Sequence, residues 1–359
     1  MRVLIAGGGV AGTATAMAVR RAGHDPVVFE AHRAGGADAG AFLVLMAGGM
    51  AALREIGASA PVAHASSAAT GLELAGPGGA VVTRRSYPDG SGPRTITRAA
   101  LYRVLQEETA RRGIPVEHGK RLVGAETGEA GVTARFADGT SATGDVLVGA
   151  DGLRSPVRRL IDRAAPEPRY TGISVVYGYA RGVPAAPGIY RMVRGRFAAF
   201  GCTTGPDGVT SWFARVPDTE RSREEIAGTT SEQWRELARR AVSGDGESLS
   251  PAEIIAASGD DVFGDHAYDL PSVPKWSTPG MVLVGDAVHA FSPAAAAGAS
   301  MAIEDAVTLA RCLRAQPDAP SAFAAYEAER RAPMEELVAA ALAHDAGRVE
   351  AYRSGTRPA

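Results

Sequence analysis

The sequence predicts an α/β protein in which a Rossmann-like dinucleotide-binding domain is interrupted by an inserted antiparallel β-sheet. Three observations lead to this prediction. A glycine-rich turn follows the first strand, several continuous apolar runs are typical of strands buried on both faces of a parallel sheet, and the middle of the chain has short alternating segments. At roughly 100–200 residues per domain, the 359 residues are enough for two domains.

The N-terminal segment has the pattern strand, turn, helix, strand. Val3 to Ala6 is a short apolar run, and Gly7 to Gly9 form the turn. Val10 to Ala22 is an alanine-rich helical segment, and Gly23 is a suitable helix stop because glycine accepts the left-handed conformation there. The second strand is Pro26 to Glu30.

The turn fits the G-x-G-x-x-G pattern of dinucleotide-binding folds. Gly7 permits the tight turn, Gly9 allows the backbone to approach a pyrophosphate, and Gly12 lets the helix and strand pack closely. The helix N-terminus offers free N–H groups and a positive dipole end to phosphates. Because Glu30 ends the next strand and can accept bonds from ribose hydroxyls, the motif predicts dinucleotide binding rather than a structural turn.

The middle of the chain contains signals for antiparallel pairing. Leu72 to Thr83 alternates around a Gly-Pro-Gly-Gly turn and is a predicted hairpin. Val132 to Phe136, followed by Asp-Gly, is a second hairpin signal. Three further strand candidates are rich in aromatic and β-branched residues: Ile173 to Ala180, Phe197 to Thr203, and Thr210 to Val216.

Two further apolar runs end in an acid, and three later segments are helical by pattern. The runs are Val146 to Asp151 and Met281 to Asp286. The predicted helices are Ser231 to Val242, Ala299 to Arg314, and Glu327 to Arg348, the last interrupted near Pro333.

These elements predict two interleaved domains. The dinucleotide-binding domain takes residues 1–70, 95–165 and 276–359, and the substrate domain takes 71–94 and 166–275.

Three acids share one position in the predicted sheet. Glu30, Asp151 and Asp286 each follow a buried strand. Because ligands of open α/β sheets bind at the carboxyl ends of the strands, one shared cofactor explains these acids better than three separate capping roles.

Arg98 gives an independent indication of a phosphate. Thr97 is a suitable N-cap, and Leu101, Val104 and Leu105 form a helical stripe after it. A cation in the first turn of a helix opposes the helix dipole, whereas a phosphate would give Arg98 a charge-assisted partner. A solvated arginine is the simpler alternative.

Two segments complete a family pattern. Gly149-Ala150-Asp151-Gly152 begins one that continues to Arg158, and Gly285-Asp286 begins one that continues to Pro293. With the N-terminal turn, they make the sequence resemble the FAD-dependent monooxygenases that share the para-hydroxybenzoate hydroxylase fold. The resemblance covers the flavin-binding parts and is thin between residues 166 and 275, where such proteins select substrates.

The resemblance implies a cofactor, a reaction and a set of contacts. NAD(P)H would reduce FAD, and the reduced flavin would react with O2 to a C4a-hydroperoxide. This species would hydroxylate or epoxidise an electron-rich aromatic, indole-like or polyketide-like molecule. The implied cofactor-binding residues are Gly7, Gly9, Val10, Ala11 and Gly12 at the pyrophosphate, Glu30 and Arg33 at the ribose, Leu122 at the adenine, Arg98 and Asp286 at the flavin phosphates and ribitol, Asp151 near the pyrophosphate, and Pro293, Gly298 and Ala299 along the ring.

One position departs from the family pattern. Ala296 stands where the family commonly has glycine, and alanine disfavours positive φ. This leaves a non-oxygenating FAD-dependent dehydrogenase or reductase on the same fold as the alternative function. A halogenase is less favoured, because Lys120 and Lys275 lack the expected setting. A flavin-binding sensor is less favoured because the Asp-Gly segment indicates NAD(P)H turnover.

Candidates for substrate contact are weaker. Tyr177 and Tyr179 alternate onto one strand face, and Arg191 follows on a neighbouring segment with Met192. Phe200, Trp212 and Phe213 have the same spacing, and for such a stripe an aromatic sheet core is the better-supported interpretation. His289 either faces the cofactor or is a hydrogen-bonded structural histidine.

Composition excludes several classes. A net charge of −2 argues against nucleic acid or an anionic membrane. Cys202 and Cys312 are the only cysteines, so neither a disulfide framework nor a metal site is expected. No apolar run of about 18 residues could span a membrane, and no signal peptide is recognised. We expect a cytoplasmic monomer or homodimer.

Overall fold

The computed structural model describes residues 1–33, 41–76, 80–183, 185–195, 198–242, 251–270, 272–292 and 297–354. Its strands are β1 Arg2–Ala6, β2 Asp25–Glu30, β3 Phe42–Leu45, β4 Ser67–Ala68, β5 Gly71–Ala75, β6 Val81–Ser86, β7 Arg94–Thr97, β8 Val116–His118, β9 Leu122–Gly128, β10 Gly131–Phe136, β11 Ser141–Gly144, β12 Val146–Gly149, β13 Arg169–Ala180, β14 Ile189–Arg194, β15 Ala199–Thr204, β16 Thr210–Pro217, β17 Phe263–Asp269 and β18 Met281–Leu283.

The last helix of the described residues is a long C-terminal one. The helices are α1 Val10–Arg21, α2 Ala47–Glu55, α3 Ser59–His64, α4 Arg98–Arg111, α5 Pro156–Ile161, α6 Arg223–Ala227, α7 Ser231–Val242, α8 Pro251–Ala256, α9 Asp286–His289, α10 Gly298–Ala315 and α11 Ala319–Ser354.

The predicted parallel sheet is present and has the order β18-β12-β1-β2-β8. All four pairings in it are parallel, and the central strand β1 pairs Ile5 with Val148 on one side and with Val28 on the other. Strands β1, β2, β12 and β18 are almost fully buried, as the continuous apolar runs predict, whereas the edge strand β8 is largely exposed. The carboxyl ends of β1, β2, β12 and β18 therefore lie along the same edge.

A second sheet has seven strands in the order β17-β13-β16-β15-β14-β5-β6. Its pairings are antiparallel except for β14 with β5, which is parallel. The sequence predicts β5, β6, β13, β15 and β16 but not β14 or β17. The division into two domains with the stated boundaries stays a prediction.

The long helix α11 corrects one expectation. The sequence predicts an interruption near Pro333, but the helix continues through it from Ala319 to Ser354. Proline removes one N–H group from the helix, whereas neighbouring side chains hold the segment in place. Arg331 donates to the Val273 and Pro274 carbonyls, and Met334 is buried in the core.

Two smaller sheets lie beside the large ones. The strands β3, β7 and β4 form one, and β11, β10 and β9 form the other. The second contains the predicted hairpin, in which Gly139 has a φ of +83° at the turn. Within the described ranges, no helix is long and apolar enough to cross a membrane.

Candidate functional site

The glycine turn after β1 has two glycines fixed by the protein and one that faces open space. Gly7 has a φ of +100°, and a Cβ there would overlap the Ala150 carbonyl. A Cβ on Gly12 would overlap the Gly7 carbonyl. Gly9 has an ordinary extended backbone, and a Cβ there would meet none of the described atoms within 4 Å. The packing of the protein thus requires the first and the last glycine of the motif. The open space beside the middle glycine, Gly9, is called the cradle below.

The cradle lies at the N-terminus of α1, where backbone donors are available. Gly9 is the N-cap, and no side chain caps the helix. The first turn contains no acidic residue that would oppose an incoming anion. Its free N–H groups at Val10 and Ala11 are therefore suited to a phosphate.

Glu30 is held in a fixed orientation at the edge of this turn. Its Oε2 accepts from the Gly8 N–H at 2.7 Å and its Oε1 from the His32 N–H at 2.8 Å. Gln106 donates to the Gly8 carbonyl at 2.7 Å. Each carboxylate oxygen keeps a further lone pair, so Glu30 can still accept bonds from a ligand.

Arg33 and Leu122 lie near Glu30, as the sequence predicts. The Lys120 N–H donates to the Glu30 carbonyl at 2.8 Å, which brings the start of β9 beside the carboxyl end of β2. Leu122 is the first residue of β9, and its side chain is buried. Arg33 is exposed, and its Cγ lies close to Gly119.

Asp151 follows β12 and packs against the glycine turn. Its Oδ2 accepts from the Val157 N–H at 3.0 Å, whereas its buried Oδ1 has no partner among the described residues. Burial raises the pKa of this carboxyl. An unpaired buried oxygen at a candidate ligand site is consistent with a donor that the protein itself does not supply.

The turn at Gly285 and Asp286 packs directly on the first motif. Gly285 has a φ of +61°, and a Cβ there would lie 3.1 Å from the Ala11 Cβ and 3.2 Å from the Ala302 Cβ. Its N–H donates to the Asp305 Oδ2 at 2.9 Å. Asp286 begins α9 and is exposed, so its carboxylate is available to a ligand.

His289 lies in a buried polar cluster behind this turn. Its Nε2 is 2.5 Å from the Asp305 Oδ2, and Arg330 donates through Nε to the Asp305 Oδ1 at 2.7 Å. Burial opposes protonation of His289, but the Asp305 charge outweighs it and raises the pKa of the imidazole. Burial also acts on Asp305, but His289 and Arg330 lower its pKa to about 2. The geometry matches the structural alternative for His289.

Arg98 is the first residue of α4 and is exposed. Thr97 is the N-cap, and its side chain accepts from the Ala100 N–H at 3.2 Å, which confirms the predicted cap. The Arg98 N–H donates to the Ala41 carbonyl at 2.7 Å. The positive charge of Arg98 opposes the rise in the pKa of Tyr177 on the seven-stranded sheet, so its guanidinium lies on the side of α4 that faces this tyrosine.

The predicted ring-binding segment is described in part. Pro293 and Ala296 lie outside the described residues. Gly298 and Ala299 form the first turn of α10, where a Cβ on Gly298 would meet none of the described atoms within 4 Å. The Met46 N–H donates to the Ser300 hydroxyl at 3.0 Å. The N-termini of α2 and α10 therefore lie side by side.

The substrate candidates separate onto two faces of the seven-stranded sheet. Phe42 of β3 lies 6.0 Å from the Tyr177 ring and 6.2 Å from the Phe213 ring, between centroids. These side chains, and Tyr179 by alternation, thus lie on the face turned toward β3. Arg191 is on the opposite face and bonds to the Glu73 Oε2 at 2.8 Å.

The remaining aromatic candidates belong to the core of the opposite face. Phe200 and Trp212 stack at 5.9 Å, and both are fully buried against α7 and α8. Cys202 lies in the same core and is a free thiol. Burial raises its pKa to about 12. Among the described residues, no group of histidines, cysteines and acids could hold a metal ion.

Two residues that organise the site were given no role by the sequence analysis. Arg158 is fully buried and donates to the Ala287 and Leu153 carbonyls at 3.0 and 2.9 Å, which joins the two later motifs. Tyr102 has a buried hydroxyl with no partner among the described residues, and burial together with the Glu30 charge raises its pKa. Only the spacing of Arg158 after Asp151 could have indicated such a role.

Comparisons with known proteins agree with this geometry. The family model described as FAD binding domain matches residues 1–341. The chain is 33% identical over 340 residues to aurachin C monooxygenase/isomerase of Stigmatella aurantiaca, covering 92% of this chain and 85% of that protein. It is 32% identical over 349 residues to 3-amino-4-hydroxybenzoate 2-monooxygenase of Streptomyces cremeus, covering 92% and 83%.

A solved structure has the same architecture. Klebsiella pneumoniae HpxO, in a complex with FAD and uric acid, aligns with a TM-score of 0.85 at 25% identity and covers 97% of this chain and 88% of its own. The similarity extends over both large sheets.

Proposed function

We propose, from the premise that this chain belongs to the FAD binding domain family and is an FAD-dependent monooxygenase like its named relatives, that it uses NAD(P)H and O2. Its reaction in this proposal is the hydroxylation or epoxidation of an electron-rich aromatic or alkene-containing small molecule. The observation that carries this proposal is the convergence of three motifs on the cradle at Gly9.

The described residues suit an extended dinucleotide. In this proposal the N–H groups of Val10 and Ala11 bind the pyrophosphate, where the helix dipole favours negative charge. Glu30 accepts from the adenosine ribose, because its carboxylate is already oriented by Gly8 and His32. Asp286 binds the ribitol, and Arg98 neutralises the phosphates.

When bound, FAD would supply the redox chemistry of this reaction, the uptake of electrons from a nicotinamide and the activation of O2. The chain's contribution is to position the reactants and to exclude water. The neighbouring N-termini of α2 and α10 bring two positive dipole ends to the region of Gly298 and Ala299, where they would stabilise negative charge on a bound flavin. The apolar side chains around Phe42 shield that region from solvent.

Asp151 has a role in nicotinamide use in this proposal. It lies beside Gly7, and one of its oxygens is buried without a partner in the described ranges. A hydroxyl or amide donor from the cofactor or the nicotinamide nucleotide would satisfy that oxygen. Support for NAD(P)H as co-substrate comes from this oxygen and from the Asp-Gly segment.

The test uses the full chain with FAD. Purified protein should be yellow, and the FAD should be released on denaturation in a ratio near one per chain. NAD(P)H oxidation should rise with substrate and require O2, and one atom from labelled 18O2 should enter the product. Protein that takes up no FAD would refute the proposal.

The same experiment separates the alternative function. A dehydrogenase would turn over without O2 when an artificial electron acceptor is supplied, and it would place no 18O label in its product. That alternative depends on Ala296, which lies outside the described residues, whereas the relatives compared above are named as monooxygenases.

A further inference from the structure

The face of the seven-stranded sheet turned toward β3 has an aromatic wall. Tyr177 stacks on Phe263 with ring centroids 5.7 Å apart, and Phe42 contacts both Tyr177 and Phe213. The chain leads from Phe42 along β3 to Met46, whose N–H is bonded to Ser300 in the first turn of α10. The wall therefore lies beside the region assigned to the flavin ring.

The Tyr177 hydroxyl is a polar group of this wall. Tyr170 on the same strand donates to the Asp218 carbonyl and Tyr268 donates to Glu220, whereas the Tyr177 hydroxyl has no hydrogen-bond partner among the described residues. Burial raises the pKa of Tyr177 to about 12. The phenol thus stays protonated at neutral pH and can donate to a ligand oxygen.

Of the two cations near this hydroxyl, one is paired within the protein and the other is assigned to the cofactor in the proposed function. Arg98 and Arg215 are the cations whose charge acts on Tyr177 in the described part of the chain. Arg215 forms an ion pair with Asp345 of α11, and both side chains are almost fully buried. Arg98 is assigned above to the flavin phosphates. Asp265 also acts on Tyr177, and its charge is negative.

A carboxylate bound against this wall would therefore lack a counter-ion. Burying a carboxylate without a charged or hydrogen-bonding partner is strongly unfavourable, whereas a neutral ring gains by packing on aromatic side chains. The wall favours a flat apolar ring with one neutral polar group.

We propose that the substrate is a neutral aromatic molecule that packs against the wall of Phe42, Tyr177 and Phe213, with a hydroxyl or carbonyl oxygen hydrogen bonded to the Tyr177 hydroxyl. Aromatic carboxylates are poor ligands of this site. This inference rests on the proposed function, because the position of the flavin defines the site. It distinguishes the chain from its relative that acts on 3-amino-4-hydroxybenzoate, whose substrate carries a carboxylate.

The test is a set of matched ligands that bind to the FAD-loaded protein. Each pair keeps the ring and its hydroxyl and exchanges a neutral carboxamide for a carboxylate: 4-hydroxybenzamide with 4-hydroxybenzoate, the two corresponding 3-amino compounds, and 3-hydroxy-2-naphthamide with 3-hydroxy-2-naphthoate. Dissociation constants are measured at pH 6.5, where the phenol of the amides stays protonated, from the change in flavin absorbance, without NAD(P)H. We expect the amide to bind at least tenfold more tightly in each pair that binds.

A second measurement tests the role of Tyr177. Tyr177→Phe should weaken binding of the amide ligands about three- to tenfold, the usual effect of one hydrogen bond. Tyr170→Phe is the matched control, because its hydroxyl is bonded to the Asp218 carbonyl, and it should leave these constants unchanged.

The outcomes separate the two proposals. Protein without FAD refutes the proposed function. Protein with FAD that binds a carboxylate as tightly as its amide, or that binds neither member of any pair, refutes the neutral-substrate inference alone. Equal effects of Tyr177→Phe and Tyr170→Phe refute the hydrogen bond to Tyr177.

Discussion

The glycines of the first motif differ in what they accommodate. Gly7 and Gly12 each face a backbone carbonyl, so the packing of β1, β12 and α1 alone excludes a side chain at both positions. Gly9 faces no protein atom of the described residues within 4 Å. Folding and ligand binding can therefore be tested separately within one motif.

Substitution of these glycines should separate stability from affinity. Gly9→Ala should leave the thermal stability of the apoprotein unchanged but weaken FAD binding by about tenfold or more, because the methyl group fills the cradle. Gly12→Ala should lower the free energy of unfolding by roughly 2 kcal/mol or more through steric overlap. Calorimetry of the apoprotein and flavin fluorescence titration measure the two effects.

Gly259→Ala is the control, because a Cβ there also meets no described atom within 4 Å and the position is remote from the site. If Gly9→Ala unfolded the apoprotein, the cradle would be a structural feature instead.

The buried carboxyl of Asp151 lowers the stability of the apoprotein at neutral pH, and in the proposed function it takes part in nicotinamide use. Its buried carboxyl has a raised pKa, so the folded state binds its proton more tightly than the unfolded state. Folding stability due to this group is present at low pH and is lost as the pH rises from the ordinary value of 3.8 through the raised value. At neutral pH the ionised form therefore destabilises the apoprotein.

We predict that Asp151→Asn stabilises the apoprotein by about 0.5–2 kcal/mol at pH 7–8. An amide oxygen retains the bond from Val157 and carries no charge. The gain should vanish below about pH 4, and reduction of bound FAD by NAD(P)H should slow at the same time. Urea unfolding across pH and anaerobic stopped-flow reduction test both parts. A variant less stable than wild type at pH 8 would contradict this account.

At the scale of elements, three helices meet at one buried acid. Asp305 of α10 contacts His289 of α9, Arg330 of α11 and the Gly285 N–H that precedes α9. This acid fixes the turn that presents Asp286, although the two residues are 19 positions apart in the sequence. The positions of α9 and α11 therefore depend on the charge of one cluster.

The cluster should give a characteristic pH dependence. Because the pKa of His289 is raised, its contribution to folding stability is complete below pH 6.5 and is lost as the pH rises through the raised pKa. Because the pKa of Asp305 is lowered, its contribution to folding stability is intact above pH 3.8 and is lost as the pH falls toward about 2. The advantage of wild type over His289→Gln, roughly 2 kcal/mol, should be largest between about pH 4 and 6.5.

Urea unfolding of the apoprotein at pH 5 to 9 measures this difference, and His64→Gln, at an exposed position, is the control. A difference that does not vary with pH would show that His289 acts through packing alone.

Local sequence patterns predicted the helices and strands well where interactions between residues close in sequence determine them. The start of α1 at Val10, the cap at Thr97, the bounds of α7 and the β5–β6 hairpin are all confirmed. The interruption at Pro333 was wrong, because contacts of α11 with the rest of the chain compensate for one missing hydrogen bond. Strands β14 and β17 have no distinctive alternating pattern in the sequence. Pairing with their neighbouring strands defines them, and a local pattern does not show such pairing.

At the scale of the whole molecule, one ion pair joins the seven-stranded sheet to the C-terminal helix. Arg215 of β16 and Asp345 of α11 are buried together, and Arg215 also lies 3.5 Å from the Ser292 hydroxyl. The two partners are 130 residues apart in the sequence, so no local pattern could have indicated them. The motifs, by contrast, predicted which acids gather at the edge of the parallel sheet.

Breaking this pair should be costly, whereas replacing it should not. Asp345→Asn should lower the free energy of unfolding by about 3–5 kcal/mol, because it leaves a buried guanidinium without its counter-ion. The double variant Arg215→Met and Asp345→Leu should recover most of that loss. Guanidinium chloride unfolding of the FAD-free chains tests both, and equal losses in the two variants would contradict the ion-pair explanation.

The interleaved order of the strands also has a consequence for protein synthesis. Strand β12 pairs with β1 across more than 140 positions, and its other neighbour β18 begins only at Met281. Helix α10, which packs on α1, begins later still at Gly298. A nascent chain emerging from the ribosome therefore cannot complete the flavin site until nearly all of α10 has left the exit tunnel. Until then, the apolar edge of β12 that later pairs with β18 stays uncovered.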